Sequence, residues 1–193
     1  DSNIISEEGV VTITAASVYG QESGLTEDDK QVIGHVYNNG TIGAAGNVSL
    51  YSLNGNVNNT AAITSGAAVM IIADENDIST VDKDANVLGV VNNYKEETAA
   101  DSRPNIEASG DIIITADNQV KNNGDLVIRE NGTGDIIVYA GRTTQTGDKL
   151  GDGVVVNKGN FTNLSEDGEI NLIAEGDVIN KGAMEARDGD ITI

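Results

Sequence analysis

Apolar residues recur along this chain in short bursts of strict alternation, and the bursts themselves recur. The strongest burst is Gly, then apolar residues at +2 and +4, then Ala at +6. It reads Gly9-Val11-Ile13-Ala15, Gly110-Ile112-Ile114-Ala116, Gly134-Ile136-Val138-Ala140 and Gly168-Ile170-Leu172-Ala174. Looser copies are Gly46-Val48-Leu50-Ser52 and Ala67-Val69-Ile71-Ala73, and Gly189-Ile191-Ile193 is a truncated one. A period of two marks a short strand with one buried face. A second element, Gly-x-Val-x-Asn, follows the first. It reads Gly34-Val36-Asn38, Gly55-Val57-Asn59, Gly153-Val155-Asn157 and Gly176-Val178-Asn180, and Leu88-Val90-Asn92 and Asn118-Val120-Asn122 read as copies without the Gly. A third element carries one apolar residue: Ile42, Ile63, Ile106, Leu126, Phe161 or Met184.

Successive first elements lie 37, 21, 43, 24, 34 and 21 residues apart. The unit is therefore about 21 residues with insertions, and such a period signals a repeat architecture. Three short strands per unit without mirrored turns cannot pair as hairpins. They predict an all-β parallel β-helix, a solenoid of six to seven coils with three strands each, spanning residues 1–193 as one domain. Each strand then stacks on its counterpart one coil along, about 4.8 Å away, for a rod roughly 30 Å long. Val, Ile, Leu and Ala fill the inside, and Gly supplies either positive φ or room at a corner. Asn38, Asn59, Asn92, Asn122, Asn157 and Asn180 share one register, so their amides are expected to bond along the axis as a ladder. Tolerance of turns is the other reason for Asn at such positions.

Insertions break the pattern at 16–33, 74–87 and 141–152, all between the first and second strands of a coil and so at one corner. A fourth, 93–104, sits at the next corner and holds the single proline, Pro104. Loops on a rigid scaffold are where function concentrates. The three loops of the shared corner carry eleven carboxylates: Glu22, Glu27, Asp28, Asp29, Asp74, Glu75, Asp77, Asp82, Asp84, Asp148 and Asp152. Hard cations take such oxygen ligands, which makes Asp74, Asp77, Asp82 and Asp84 calcium candidates. No EF-hand loop and no glycine-rich nonapeptide is present.

The same alternation that turns Val69, Ile71 and Ala73 inward turns Met70 and Ile72 outward, with Ile113, Ile137, Tyr139 and Ile173. Thr or Ser would be ordinary there. An apolar stripe over several coils predicts an interface with a loop, a neighbouring rod or a partner, against the plain β-propensity of such residues.

Composition narrows the chemistry. Acidic residues outnumber basic ones 31 to 11 and the formal charge is -20, which disfavours nucleic acid and anionic membrane surfaces. With no Cys and one His, thiol chemistry and multi-histidine metal centres are excluded. No apolar run approaches a membrane span. The chain does not begin with Met and carries no leader, and it reads as a mature fragment or an excised piece. His35 faces outward without a nucleophile beside it. Asp111, Asp135, Glu169 and Asp190 each follow a repeat Gly, too regularly for a catalytic pair, and are read as solvated turn residues. No enzyme activity and no required cofactor are expected. Six Asn-x-Ser/Thr sequons begin at Asn39, Asn47, Asn58, Asn131, Asn160 and Asn163.

The unit Gly-x-φ-x-φ-x-Ala … Gly-x-Val-x-Asn-x-Gly-x-φ, clearest from Gly168 to Ala186, resembles the repeats of filamentous haemagglutinin-like adhesins. These are bacterial two-partner-secretion exoproteins. The resemblance implies a right-handed parallel β-helix at the bacterial cell surface, serving as an adhesive or spacer fibre. Two functions follow as expectations. The first is a structural rod segment whose partners are flanking repeats or copies of itself, stacked end to end. The second is a binding module whose acidic loop edge takes calcium, a host-surface protein or a glycan.

Overall fold

The computed structural model describes residues 3–15, 35–52, 55–73, 89–94, 105–141 and 153–193. Among them lie twenty short strands, numbered β1 to β20 in chain order, that stack into three parallel sheets. Sheet I stacks β1 (Ile4–Ser6), β4 (Ile42–Ala44), β7 (Ile63–Ser65), β10 (Asn105–Ala108), β13 (Asp125–Ile128), β16 (Phe161–Asn163) and β19 (Met184–Ala186). Sheet II stacks β2 (Val11–Ala15), β5 (Val48–Ser52), β8 (Val69–Ala73), β11 (Ile112–Ala116), β14 (Ile136–Ala140), β17 (Ile170–Ala174) and β20 (Ile191–Thr192). Sheet III stacks β3 (Val36–Asn38), β6 (Val57–Asn59), β9 (Val90–Asn93), β12 (Gln119–Asn122), β15 (Val154–Asn157) and β18 (Val178–Asn180). This is a parallel β-solenoid with three strands per coil. Sheet II is built from the first sequence element, sheet III from the second and sheet I from the third.

Registers are unbroken along each sheet, so equivalent residues form columns. On sheet II, Ile13, Leu50, Ile71, Ile114, Val138 and Leu172 stack inside, with Ala15, Ser52, Ala73, Ala116, Ala140 and Ala174 beside them. The second column is small because it lies where the chain turns towards sheet III. Val36, Val57, Val91, Val120, Val155 and Val178 line sheet III. Ile42, Ile63, Ile106, Leu126, Phe161 and Met184 line sheet I, with Ile4 added at the start by β1. Most of these side chains are wholly buried and form one core. A core with one Phe and no Trp closes because the coil is narrow and each β-branched side chain packs on its copy above and below.

One register differs from the sequence reading. Val91, not Val90, continues the column inside, and Asn93, not Asn92, continues the Asn column. The true copy is Gly89-Val91-Asn93, with its Gly present, and Asn92 faces outward. Two adjacent Val and two adjacent Asn allow either register locally. Pairing to Asn59 and Asn122 decides between them, because a slip of one residue would turn every side chain of the strand over. The fourth insertion accordingly starts after β9 rather than at residue 93.

The glycines that open the later strands of sheet II are there for room. A Cβ on Gly134 would strike the carbonyl carbon of Gly110 one coil back, and one on Gly189 the carbonyl oxygen of Gly168. Among the described glycines only Gly89 and Gly141 have positive φ, at 66° and 149°.

Candidate functional site

The Asn column is a continuous chain of side-chain hydrogen bonds. Asn38 Nδ2 donates to Asn59 Oδ1 at 2.6 Å, Asn59 to Asn93 at 2.8 Å and Asn93 to Asn122 at 2.7 Å. Asn122 then donates to Asn157, and Asn157 to Asn180, both at 2.8 Å. Asn59, Asn93, Asn122 and Asn157 are fully buried. Each amide has two N–H groups, and four of the six give one to a backbone carbonyl. Asn59 donates to the carbonyl of Ala61, Asn122 to that of Gly124, Asn157 to that of Gly159 and Asn180 to that of Gly182. A backbone carbonyl can only accept, so at these four positions the amide nitrogen must lie on that side. The direction of the ladder is therefore fixed by geometry. The main chain beside it bonds in the opposite sense: the N–H groups of Thr60, Tyr94, Asn123, Lys158 and Lys181 donate to the carbonyl of the ladder Asn one coil back. Asn92 is outside this set and donates across the outer surface to Asn58 Oδ1 at 2.8 Å.

Other corners use the same device with different groups. Asp111 Oδ1 accepts the backbone N–H of Asp135 at 3.0 Å, and Asp135 Oδ1 that of Glu169 at 2.9 Å. Asn47 Oδ1 does the same for Ala68. The acidic row that the sequence suggests is merely solvated thus caps the next coil at two of its members. His35 has a comparable place: its Nδ1 accepts the N–H of Asn56 at 3.0 Å, and its ring lies edge-on to Tyr37. It is a corner acceptor. Of the six sequon asparagines, Asn163 is fully buried, with its amide donating to the carbonyls of Gly134 and Glu169, so it is closed to modification in the folded chain.

The outward side chains of sheet II form two rows. One runs Thr12, Ser49, Met70, Ile113, Ile137, Asn171 and Thr192. The other runs Thr14, Tyr51, Ile72, Thr115, Tyr139 and Ile173. All six stripe residues, Met70, Ile72, Ile113, Ile137, Tyr139 and Ile173, are brought onto this one face. Met70 and Ile173 are exposed and the other four half-buried by their neighbours. Tyr51 belongs to the same surface and was not singled out by sequence, although it holds the position in its repeat that Ile72 and Tyr139 hold in theirs. A shallow concavity of about 490 Å³ lies over Ser49, Met70, Ile72 and Thr115, with Tyr51 on its wall. Tyr139 Oη donates to Glu175 Oε1 at 3.2 Å. Burial, that hydrogen bond and the charges of Glu175 and Asp117 raise its pKa above the ordinary tyrosine value.

The calcium candidates Asp74, Asp77, Asp82 and Asp84 lie outside the described residues, as do the other carboxylates of the three edge loops. Among the described residues no three metal-ligating side chains come together. No helix there is long and apolar enough to cross a membrane. Fold and surface together define the class of the chain as a parallel β-solenoid with an axial amide ladder. Comparison with protein-family models, with curated proteins and with solved structures finds no match.

Proposed function

We propose that this chain is a rod segment of a secreted bacterial surface fibre or adhesin, placed outside the cell, with a mechanical rather than a catalytic role. The observation that carries the reading is the continuity of the interior. The apolar columns and the Asn ladder pass through successive coils without interruption, whatever the length of the chain inserted between strands. A scaffold that tolerates insertions while keeping its axis suits a spacer. The filamentous haemagglutinin-like spacing of Gly, apolar and Asn residues supports the same reading, and flanking repeats or further copies are its natural neighbours.

The test is surface display of the chain between a membrane anchor and an epitope. Cutting residues 16–33, 74–87 and 141–152 back to coil length should leave epitope height and host-cell attachment unchanged. Loss of attachment with the height retained would replace the rod reading by the binding-module one. A chelator effect on attachment would place calcium in those loops.

A further inference from the structure

Sheet II presents an uncharged outer face on a highly charged chain. Its thirteen outward positions, two on each of six strands and one on β20, hold no Asp, Glu, Lys or Arg. Across the whole chain 22% of residues are charged and the net formal charge is -20. Two such chains repel at almost any contact, and least where no charge is carried.

The face is also palindromic about its central strand, β11. Outward from Ile113, the first row reads apolar on both sides (Met70, Ile137), then polar (Ser49, Asn171), then Thr (Thr12, Thr192). About Thr115 the second row pairs Ile72 with Tyr139 and Tyr51 with Ile173. A two-fold axis parallel to β11 superposes these equivalents: Ile137 meets Met70, Tyr139 meets Ile72, Ile173 meets Tyr51 and Asn171 meets Ser49. Self-complementarity of this kind is what an isologous contact requires. The rim agrees. Asp111, Asp135, Glu169 and Asp190 precede the later strands of the sheet, whereas Val10, Asn47 and Ala68 precede the earlier ones. At the starts of the strands the same axis sets Asp135 against Ala68, Glu169 against Asn47 and Asp190 against Val10, with Asp111 opposite its own copy; at their ends Asp117 likewise lies opposite its own copy, and Glu175, bonded to Tyr139, borders the face.

We infer that two copies of this chain pair through sheet II, face to face, with their rods antiparallel. The inference is independent of the surface-fibre reading. Five residues of strand by seven strands cover about 17 by 29 Å, or roughly 1,000 Å² for the two copies. That is the lower limit for a specific interface, so the pair is a weak one. Higher salt strengthens it, because the residual repulsion between acidic surfaces is screened.

Sedimentation of the whole chain across micromolar to submillimolar concentration tests this. The mass should rise from 20.0 kDa towards twice that value, and at lower concentration in high salt than in low. Ile137→Lys should hold the chain at the monomer mass, with an unchanged far-ultraviolet dichroism spectrum and melting curve. Because the chain has no Cys, single thiols report the orientation. Under a short bismaleimide, Thr115→Cys, on the axis, should cross-link to its own copy. Thr12→Cys, at the far end, should not. A monomer at every concentration and salt, or an Ile137→Lys variant that still pairs, overturns the inference. Cross-linking of Thr12→Cys as readily as Thr115→Cys overturns the antiparallel arrangement.

Discussion

Asn59 and Asn93 are 34 residues apart in the chain, yet the amide nitrogen of one lies 2.8 Å from the amide oxygen of the other, in a site closed to water. Asn93 in turn donates to Asn122. Removing it strands a donor on one side and an acceptor on the other. Asn93→Ala is expected to cost about 2–4 kcal/mol, since each buried partner loses a bond that water cannot replace. Asn92→Ala, next to it in sequence, loses only the outer bond to Asn58 and should cost about 0.5–1 kcal/mol. Urea melts of the two variants check the contrast, and equal losses would contradict the ladder register.

Gly124, Gly159 and Gly182 stack just past the ladder. A Cβ on Gly159 would run into the carbonyl oxygen of Gly124, and one on Gly182 into that of Gly159. These contacts are with backbone, which cannot swing aside. Gly159→Ala should therefore destabilise by several kcal/mol, on the order of the largest single-substitution losses. Gly43, in the outer row of sheet I, has nothing within 4 Å of such a Cβ. Gly43→Ala should be neutral or stabilise by about 0.5–1 kcal/mol, through a less flexible unfolded chain. Thermal melts of the pair distinguish crowding at one glycine from free space at the other.

Phe161 is fully buried between Leu126 and Met184 in the column of sheet I. Its truncation leaves a cavity in a stack that cannot collapse without shifting two coils. Phe161→Ala is expected to lose about 3–5 kcal/mol, and Phe161→Leu, which keeps much of the volume, less than about 1.5 kcal/mol. Calorimetry or denaturant unfolding reads both, and a small loss for Phe161→Ala would mean the column is loosely packed.

Tyr139 contributes a pH dependence of known sign. Its pKa is raised in the folded chain by burial and by Glu175, so the folded state holds the phenol proton more tightly than the unfolded state does. That stabilisation is complete below the ordinary tyrosine pKa and is lost as pH rises from there through the folded value. Melting temperature should fall more steeply above about pH 10 in the natural chain than in Tyr139→Phe. Parallel curves for the two proteins would remove this linkage.

Much of this fold can be read in the chain because a solenoid repeats its physics locally. The columns led by Ile13 and Leu50, by Val36 and Val57, and by Ile42 and Ile63 each follow from alternation within a few residues. The Asn ladder follows from a single recurring register. That reading slips at Val90-Val91-Asn92-Asn93, where doubled residues erase the local phase and only the neighbouring coils restore it. The capping by Asp111 and Asp135 was hidden for another reason: the amide that each carboxylate receives belongs to a residue 24 or 34 positions later. Tyr51 lies one coil before the apolar stripe and shares its strand with an outward Ser49, so its coil does not read as apolar. The outer stripe emerged from period alone, but its symmetry about Ile113 needs the strand order, which no single repeat contains.

The amide ladder also gives the rod a sense of direction. All five links point from the earlier coil to the later one, so the amide dipoles add rather than cancel. The end nearer Asn180 presents hydrogen and the end nearer Asn38 presents oxygen. Two such columns meeting hydrogen to hydrogen, or oxygen to oxygen, would leave the join without a bond. Continuation of the column is possible only head to tail, and any fibre built that way has two chemically different ends.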